Sequence, residues 1–446
     1  MWHFLAQKIL RNRITIIAAI FVLTGIFGYY AVTNLKLDNK YGNMLPKESP
    51  AQSSYLTFKS LFGEDGGTLV FAIQEGDLYN AEKIQKWREL GQRVAEVPGV
   101  TNVVSEANLI RLVNDTTLKK FVVETVIPDD DFDEAAAQEF ERIIRSNPLY
   151  EGMIFNKETN VTLMLISVSE EYLSDPKKAK VVLEIEQIAE EYENYFGQIH
   201  FAGLPHIRVV IAKRIMDEMY IFIGLAILVT SILIFIFFRS IRIVLICNTV
   251  VFTAVIWSMG SIGMFGFNLS ILMALIPPLM IVIGIPNCIF LITKFHREVV
   301  EHGNKIKAIQ RIIVKIGNAT FLTNLTTALG FSTFIFTDSE KLIQFGVIAS
   351  INIMALFILS ITIIPILVSW NKLPKPRHLK HLENKYTGIL VDKFIHWANF
   401  KRGWVYGITI VVIVVSTFGL LRVEATGNLT GDLPEGDSIL EDVNFI

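Results

Sequence analysis

LMIVIGIPNCIFLITKFHRE, residues 279–298, is the stretch that decides the fold. With the apolar residues before it, this stretch is long enough to cross a bilayer, because about twenty helical residues span the hydrocarbon core. Gly284 and Pro286 interrupt the apolar run, while Asn287 and Cys288 place an amide and a thiol where hydrocarbon is expected. Proline frees a backbone carbonyl that must be satisfied inside a membrane. We therefore predict a transmembrane helix that handles an ion or a polar group.

The composition is that of an integral membrane protein. Hydrophobic residues make up 52% of the 446 residues, and the mean hydropathy is +0.45. The sequence contains no nucleophile motif, phosphate-binding loop or pair of catalytic carboxylates, so we do not expect an enzyme. A net charge of -2 gives no support for nucleic-acid binding. Windows of apolar residues predict seven spans, at 14–33, 220–238, 243–265, 270–293, 320–336, 342–370 and 403–421.

The charge distribution predicts the orientation of these spans. Residues 1–13, 239–242, 294–315 and 371–402 together hold 19 basic and 4 acidic residues, against 22 basic and 39 acidic residues elsewhere. Because short basic loops stay in the cytoplasm, we expect a cytoplasmic N-terminus and an inner (cytoplasmic) membrane location. The expected parts are 1–33 (N-terminus and first span), 34–219 (extracytoplasmic domain), 220–370 (five-helix block), 371–402 (cytoplasmic linker), 403–421 (seventh span) and 422–446 (start of a second extracytoplasmic domain).

The polar region 34–219 alternates strand and helix patterns. Strands are predicted at 68–74, 102–105, 152–155, 161–168 and 198–202, and helices at 79–96, 131–145 and 176–196. This alternation predicts two α+β sandwiches of the split βαβ (ferredoxin-like) type. The two cysteines, Cys247 and Cys288, both lie in apolar runs, so we expect no disulfide in this region.

The chain contains an internal repeat. The first span is followed by NLKLDNKYGNMLPKESP (34–50), and the last by RVEATGNLTGDLPEGDS (422–438). Aligning the Leu-Pro pair at 45–46 with that at 433–434 gives an offset of 388, which also aligns the two spans. Parallel repeats of this kind build transporters whose halves face each other across a pathway. We therefore expect the chain to be the N-terminal half of a longer protein, or a shortened piece of one.

The chain resembles the RND superfamily, especially its MMPL and Patched-like exporters with a sterol-sensing-type five-helix block. The resemblance rests on VIGIPNCIFLITKFHRE (282–298), NATFLTNLTTALGF (318–331), FGVIASINIMALF (345–357) and FAGLPHIR (201–208). It implies that 34–219 is a porter domain. Where many proton-coupled relatives have Asp-Tyr in the fourth helix, this chain has Asn287-Cys288. Asparagine does not exchange a proton near neutral pH, so a simple carboxylate relay is not expected here.

The candidate coupling site is a cluster of uncharged oxygen groups. Pro286 leaves the carbonyl of Val282 free, one turn from Asn287, and Thr323, Asn324 and Thr327 offer oxygens on the next span. Such a cluster suits sodium, or a water chain serving a carboxylate in a second half, so the coupling ion is either H⁺ or Na⁺. The alternative is that the amide and hydroxyl groups only hold helices together.

Two acidic residues and two histidines complete the set of candidates. Asp338 and Glu340 follow the fifth span and form either a cation funnel at the outer surface or a solvated loop. His200 and His206 lack partners at metal-ligand spacing, so we expect no metal and no cofactor.

We therefore expect a secondary transporter that uses an ion gradient to export lipid or another hydrophobic molecule. Its expected partners are membrane lipids or hydrophobic small molecules, the second half of the same protein, and either further copies or envelope proteins. Two alternatives remain open: a lipid-sensing receptor or scaffold that transports nothing, and an accessory subunit of protein export.

Overall fold

The computed structural model describes residues 2–37, 50–62, 65–74, 76, 78–115, 120–125, 134–146, 150–175, 178–374, 385–423 and 438–445. The chain divides into two compact units. The helical unit comprises Met1–Lys36 and Met216–Asn428, and the α/β unit comprises Leu37–Ile215 and Leu429–Ile446.

Helices and strands are numbered in chain order. The helices are α1 (Trp2–Arg11), α2 (Arg13–Thr33), α3 (Pro50–Phe62), α4 (Ala81–Ala95), α5 (Glu134–Arg145), α6 (Glu170–Ser174), α7 (Val181–Glu190), α8 (Glu193–Phe196), α9 (Leu204–Phe238), α10 (Ile241–Met264), α11 (Ile271–Ala274), α12 (Ile276–His302), α13 (Lys305–Ser332), α14 (Glu340–Trp370), α15 (Lys385–Phe400), α16 (Arg402–Leu420) and α17 (Ser438–Phe445). The strands are β1 (Lys36–Leu37), β2 (Thr68–Gln74), β3 (Val100–Ser105), β4 (Ile110–Asp115), β5 (Lys120–Thr125), β6 (Phe155–Asn156), β7 (Val161–Val168), β8 (His200–Ala202) and β9 (Asn268–Leu269).

Seven helical segments of the described chain are long and apolar enough to cross a membrane, which confirms the predicted number. They are Arg13–Thr33, Leu204–Phe238, Ile241–Met264, Ile271–His302, Lys305–Phe336, Glu340–Trp370 and Arg402–Leu420. The fifth begins 15 residues before its predicted start at residue 320, because backbone hydrogen bonds continue through polar residues that a hydropathy window excludes. Residues 294–315 consequently form the end of α12 and the start of α13, which are joined by a tight turn at Gly303 and Asn304, with Gly303 at a positive φ of 64° ending α12.

Helix α2 packs closely on α10 through two glycines. A Cβ atom at Gly260 would lie 2.2 Å from the carbonyl oxygen of Phe27, and one at Gly263 would lie 2.5 Å from that of Tyr30. Only residues without a side chain allow two helix backbones to approach this closely. The Trp257 indole also donates a hydrogen bond to Thr24 Oγ1 across this contact, at 2.9 Å. The pair is therefore held by close backbone packing and one inter-helix hydrogen bond.

The N-terminal residues, expected only as a basic flank, form the amphipathic helix α1. Its Ala6 and Ile9 are buried in an apolar cluster with residues of α13 and α14. The Trp2 ring meets Phe357 edge to face at 6.3 Å, and it lies over Gly317, where a Cβ atom would be only 2.6 Å from the ring. Helix α1 is thus packed against α13 and α14.

The α/β unit is built on one antiparallel sheet. Its strand order is β3-β7-β2-β8, with β6 added to β7. Helix α4 connects β2 to β3, and α7 precedes β8, so the order is the one produced by a split βαβ unit. Every second residue of β2 enters the core against α4 and α7; the central buried side chains are Leu69, Phe71, Ile73, Trp87, Leu90, Val182 and Ile185.

The prediction of two sandwiches is wrong for the described residues, which form only one. Strands β4 and β5 pair only with each other as a separate hairpin, and the two-residue strand β6 joins the same sheet as β7. A strand predicted at 152–155 is mostly a turn, because Gly152 adopts a positive φ of 76° and its amide bonds the carbonyl of Phe155. The helix predicted over 176–196 is divided into α7 and α8, with Pro176 outside the described residues. Residues 131–133 of another predicted helix also lie outside them.

The two histidines near β8 each contact a carboxylate. His206 Nδ1 lies 2.6 Å from Glu186 Oε1, and both side chains are buried. His200 Nδ1 lies 2.6 Å from Asp442 Oδ1, and its ring stacks on Phe445 at 3.8 Å. Helix α17 is therefore anchored on β8 within the α/β unit.

Candidate functional site

Asn287 and Asn324 form a reciprocal hydrogen-bonded pair between α12 and α13. Asn287 Nδ2 donates to Asn324 Oδ1 at 2.9 Å, and Asn324 Nδ2 donates to Asn287 Oδ1 at 3.3 Å. Asn324 Nδ2 also donates to the carbonyl of Thr320 at 2.7 Å. Both amides are buried, with exposed fractions of 8% and 2%. Asn287 therefore faces Asn324. Of the three predicted partners on α13, Asn324 is the only one that is hydrogen-bonded to Asn287 in the described structure.

The other two predicted oxygen donors do not join the pair. Thr323 Oγ1 donates to the carbonyl of Ala319, and Thr327 Oγ1 donates to that of Thr323, both at 2.9 Å. Thr323 is exposed and Thr327 is partly exposed. Adjacent residues of a helix point about 100° apart, so Thr323 and Asn324 cannot both face Asn287. The predicted oxygen cluster is therefore divided between a buried pair and an exposed face.

Pro286 interrupts the apolar run in the sequence, but it does not break the helix. Helix α12 runs continuously from Ile276 to His302, with Pro286 inside it. The interruption lies earlier, at Leu275 between α11 and α12, where Pro277 and Pro278 occupy the first turn of α12. An amide donor is not needed there, so these two prolines do not disturb the helix. Pro286 removes a single hydrogen bond from an otherwise regular helix.

Gly284 and Cys288 lie on the packed side of α12. A Cβ atom at Gly284 would come within 3.1 Å of Leu356 on α14 and 3.5 Å of Val251 on α10. The thiols of Cys288 and Cys247 are buried and within hydrogen-bonding reach of each other. These two residues therefore support helix packing, and neither lies on the exposed face beside Pro286.

Asp338 and Glu340 lie at the start of α14, away from the amide pair. Asp338 is exposed, and Glu340 Oε1 accepts a hydrogen bond from Gln344 at 3.4 Å. Fourteen residues separate Asp338 from Asn324, and they include the last two turns of α13 and a following 3₁₀ turn. Acidic residues at a helix N-terminus are favoured by the helix dipole, which accounts for this placement.

A second buried amide connects another pair of helices and was not predicted. Asn352 on α14 donates to Ser261 Oγ on α10 at 2.7 Å and to the carbonyl of Ile348 at 2.8 Å. Its exposed fraction is 3%, comparable to that of Asn324. It offers a matched comparison for Asn287, because it is a buried amide between helices that is not next to a helix proline.

Glu298 was not predicted as a site residue, and it lies at the centre of a charged cluster near the turn between α12 and α13. Its carboxylate has no exposed surface and lies 2.9 Å from Lys315 Nζ, 3.4 Å from Arg311 Nη1 and 3.6 Å from Lys294 Nζ. Glu301 and His302 lie close enough to share a metal ion with it. Three cations already surround the buried carboxylate and Arg311 contacts His302, so the cluster is best explained as an ion-pair network. The signal in the sequence was an acid four residues after Lys294 within a basic segment.

The α/β unit contains one buried carboxylic acid with an altered pKa. Burial raises the pKa of Glu106 to about 7, although hydrogen bonds from Tyr79 and Thr162 and the nearby Arg145 guanidinium act in the opposite direction. Tyr79 Oη donates to Glu106 Oε2 at 2.6 Å, and Thr162 Oγ1 donates to Oε1 at 3.4 Å. Glu106 is therefore a proton-binding group near neutral pH inside the core of this unit.

Comparison with known proteins supports the resemblance found in the sequence. Residues 44–405, more than half of the chain, match the sequence model of the MMPL family. A protein of Methanocaldococcus jannaschii that is named as a membrane protein is 22% identical over 397 residues, which cover 86% of this chain and 96% of that protein. Family membership indicates a membrane transporter, in agreement with the seven apolar helices. The chain therefore belongs to the MMPL family of the RND superfamily and is a multi-pass membrane protein.

Proposed function

We propose that this protein uses an ion gradient to export lipid or another hydrophobic molecule across or out of the cytoplasmic membrane. The observation that carries this proposal is the buried Asn287–Asn324 pair directly beside Pro286. A polar pair in an apolar helix bundle is costly unless it is satisfied, and such groups commonly mark ion or substrate pathways.

The pair lies next to a face of α12 that the described residues leave uncovered. Pro286 is exposed, and one turn away on either side Val282 and Phe290 have exposed fractions of 60% and 50%. Thr323 is exposed on the neighbouring helix. A second repeat bound to this face would place its own side chains within reach of the pair. The proposed coupling site is thus completed by the partner half.

The chemistry of the pair limits which ion it binds. Neither amide exchanges a proton near neutral pH, so a proton would have to be carried by a carboxylate of the second half. Sodium requires several oxygen ligands, and Asn287 Oδ1 retains one lone pair after accepting its hydrogen bond from Asn324. Opening the pair would release both amide oxygens for a cation. The proposal therefore includes both H⁺ and Na⁺, which the experiment below distinguishes.

The spacing of helices supports a two-repeat architecture. Helices α2 and α16 begin 389 residues apart, at Arg13 and Arg402, which is within one residue of the offset found in the sequence. In this proposal the α/β unit is an extracytoplasmic porter domain that admits the hydrophobic molecule, and the partner is a second half, in the same protein or in another copy.

A lipid-sensing receptor or scaffold is the second candidate. The observation that favours it is that the amide pair is neutral and hydrogen-bonded on both sides, so it holds α12 and α13 together without an ion. Such a protein would keep the helix block of a transporter while moving nothing. The same experiment separates it from the first candidate.

The test measures lipid flux in vesicles that contain the full chain. If a neighbouring gene encodes a partner half, that protein is reconstituted together with this chain. A fluorescent phospholipid is followed under a proton gradient, a sodium gradient or neither. We expect flux under one gradient, and Asn287→Ala should lower it by at least about tenfold while the protein remains folded. The matched variant Asn352→Ala, which also removes a buried inter-helix amide, should keep flux within about twofold.

Two results would overturn the transport proposal. No lipid movement by the wild-type protein under either gradient would leave the receptor as the better explanation. An equal loss of flux in Asn287→Ala and Asn352→Ala would show that any buried amide matters for packing, and that Asn287 has no special role in coupling.

A further inference from the structure

A basic cavity lies between the N-terminal helix and the turn that joins α12 to α13. Its volume is about 930 Å³, and it is bounded by the end of α1, the start of α2 and the first turns of α13. All of these elements belong to the helical unit. The cavity is separate from the Asn287–Asn324 pair, because none of its lining residues belongs to the proposed coupling site.

Three basic side chains line the cavity, and no acid does. Arg11, Arg13 and Lys305 contribute the positive charge, while none of the eleven lining residues is Asp or Glu. Within the described part of the chain, no carboxylate lies within salt-bridge distance of these three residues. This differs from Lys294, Arg311 and Lys315 on the same pair of helices, which all converge on Glu298. The positive charge of the cavity is therefore not neutralised by the described residues.

Two of the three cations are held in place. Lys305 Nζ donates to the carbonyls of Ser369 and Asn371, both at 2.5 Å, at the end of α14. Arg13 Nη1 donates to Ser369 Oγ at 3.4 Å. Neutral partners fix the positions of these groups without removing their charge. The cavity is consequently a preorganised positive site, which reduces the cost of ordering side chains when an anion binds.

The backbone adds to the attraction for an anion. Helix α13 begins at Lys305 with Asn304 as its N-cap, and both residues line the cavity. The positive end of a 28-residue helix dipole is therefore directed at this space. Gln7 and Gln310 supply neutral hydrogen-bonding groups beside it.

One wall of the cavity is apolar. Leu10, Ile306 and Ile309 line it, and Ile306 has an exposed fraction of 66%. An apolar wall beside positive charge suits an amphiphile with a phosphate, whereas a freely soluble anion gains nothing from that wall. The last turn of α1, which adjoins this wall, is basic and carries Lys8 and Arg11.

We propose that this cavity binds the anionic phosphate headgroup of a membrane lipid. The phosphate is held by Arg11, Arg13 and the N-terminus of α13, and the acyl chains lie against Leu10 and Ile306. This site is independent of transport, because it lies outside the proposed coupling site. Bound lipid would tie α1 to the turn between α12 and α13.

The test measures lipid binding to the purified full chain in a neutral detergent by native mass spectrometry. The probes are phosphatidylglycerol, phosphatidylcholine and inorganic phosphate. The test variant is Arg11→Gln/Arg13→Gln, and the matched control is Lys8→Gln/Lys307→Gln, which removes the same charge from α1 and α13 outside the cavity lining. Near a membrane surface each basic residue contributes about a fivefold change in affinity for anionic lipid, so the test variant should lose roughly 25-fold.

The proposal is supported if phosphatidylglycerol binds more tightly than phosphatidylcholine, the test variant loses that preference, and the control changes it by less than about threefold. It is overturned if both double variants lose affinity equally, since general surface charge would then explain binding. Binding of inorganic phosphate as tight as that of phosphatidylglycerol would also overturn it, because the site would then be one for free anions.

A second variant tests the site independently if the arginine double variant does not fold. Ile306→Glu adds a negative charge to the exposed wall and removes none of the cationic contacts. It should weaken phosphatidylglycerol binding by at least about fivefold, through like-charge repulsion. Unchanged binding in this variant would contradict the proposal even if the arginine variant did not fold.

Discussion

Replacing Glu298 with glutamine should destabilise the helical unit while leaving its shape unchanged. Glutamine has nearly the same volume and can still accept a hydrogen bond from Lys315. It removes the negative charge around which Lys294, Arg311 and Lys315 gather, at 3.6, 3.4 and 2.9 Å. The perturbation is therefore almost purely electrostatic, since three cations would face each other around a neutral amide.

The expected cost follows from the burial of each partner. Removing one partner of a buried ion pair usually costs about 3–5 kcal/mol, because the remaining charge is left without compensation. Here the carboxylate is fully buried, but the three cations keep side-chain exposures between 27% and 50%. Water can solvate them partly once the carboxylate is gone, which lowers the cost. We expect Glu298→Gln to lower the free energy of unfolding by about 2 kcal/mol.

The assay is equilibrium unfolding of the full chain in mixed micelles, with SDS as denaturant and circular dichroism as signal. Glu301→Gln is the matched control, because Glu301 is 45% exposed and its one ion pair among the described residues is with Arg297 at 3.4 Å. An exposed pair of this kind contributes little, so the control should change stability by less than about 0.5 kcal/mol. Adding Lys315→Met to Glu298→Gln should recover part of the loss by removing one uncompensated charge.

A central role for the Glu298 carboxylate would be refuted if Glu298→Gln and Glu301→Gln had the same effect. It would also be refuted if Lys315→Met lowered stability further in the Glu298→Gln background, since that would show that the cations do not repel one another once the carboxylate is removed.

Two further predictions concern α10 and the α/β unit. Gly260→Leu should lower the free energy of SDS unfolding by about 3 kcal/mol, because its Cβ would lie 2.2 Å from the Phe27 carbonyl and force α2 away from α10. The control is Gly25→Leu, which should be nearly neutral because a Cβ at Gly25 meets nothing within 4 Å. Equal effects of the two substitutions would contradict this prediction. The pKa of Glu106, raised to about 7 by burial, lies above its ordinary value of 4.5, so the folded α/β unit binds the proton more tightly than the unfolded chain does. The contribution of Glu106 to the stability of this unit should be fully present below about pH 4.5 and should fall by roughly 3 kcal/mol as the pH rises to about 7. Urea unfolding followed by the fluorescence of buried Trp87, in a background in which the other five tryptophans are replaced by phenylalanine, should show this decline with Glu106 present and little of it with Glu106→Gln. A profile without slope when Glu106 is present would refute the prediction.

The spans were predictable because hydrocarbon thickness sets a minimum length of apolar sequence. Their ends were less predictable, as α13 shows: it begins at Lys305, where hydrogen bonding and the Asn304 cap determine the boundary. Helix α1 was missed because ten residues are too few for a hydropathy window and its basic residues hid the apolar face. What stabilises α1 is the contact of Ala6 and Ile9 with distant residues of α13 and α14, which local sequence does not reveal.

The candidate site was predictable in its residues and not in its geometry. Asn287 and Asn324 were both candidates, but which side chain of α13 faces α12 depends on the rotation of each helix about its axis. A rotation of one residue would have brought Thr323 to Asn287 instead. Glu298 shows a different limit. Its three cations come from two helices, and only one of them, Lys294, has the local spacing that marks a pair along a single helix.

The missing hydrogen bond at Pro286 has a mechanical consequence for α12. On the C-terminal side of this point the helix is attached to α13 twice, through Asn287 and, eleven residues later, through Glu298. These two contacts fix a segment of α12 about 16 Å long relative to α13. The ten residues on the other side, from Ile276 to Ile285, are held by packing against α10 and α14 instead, and the softest joint between the two parts of the helix lies at Pro286. Bending of α12 is therefore concentrated at Pro286. Such a bend would move the segment from Ile276 to Ile285, while the segment from Asn287 to Glu298 keeps its position on α13.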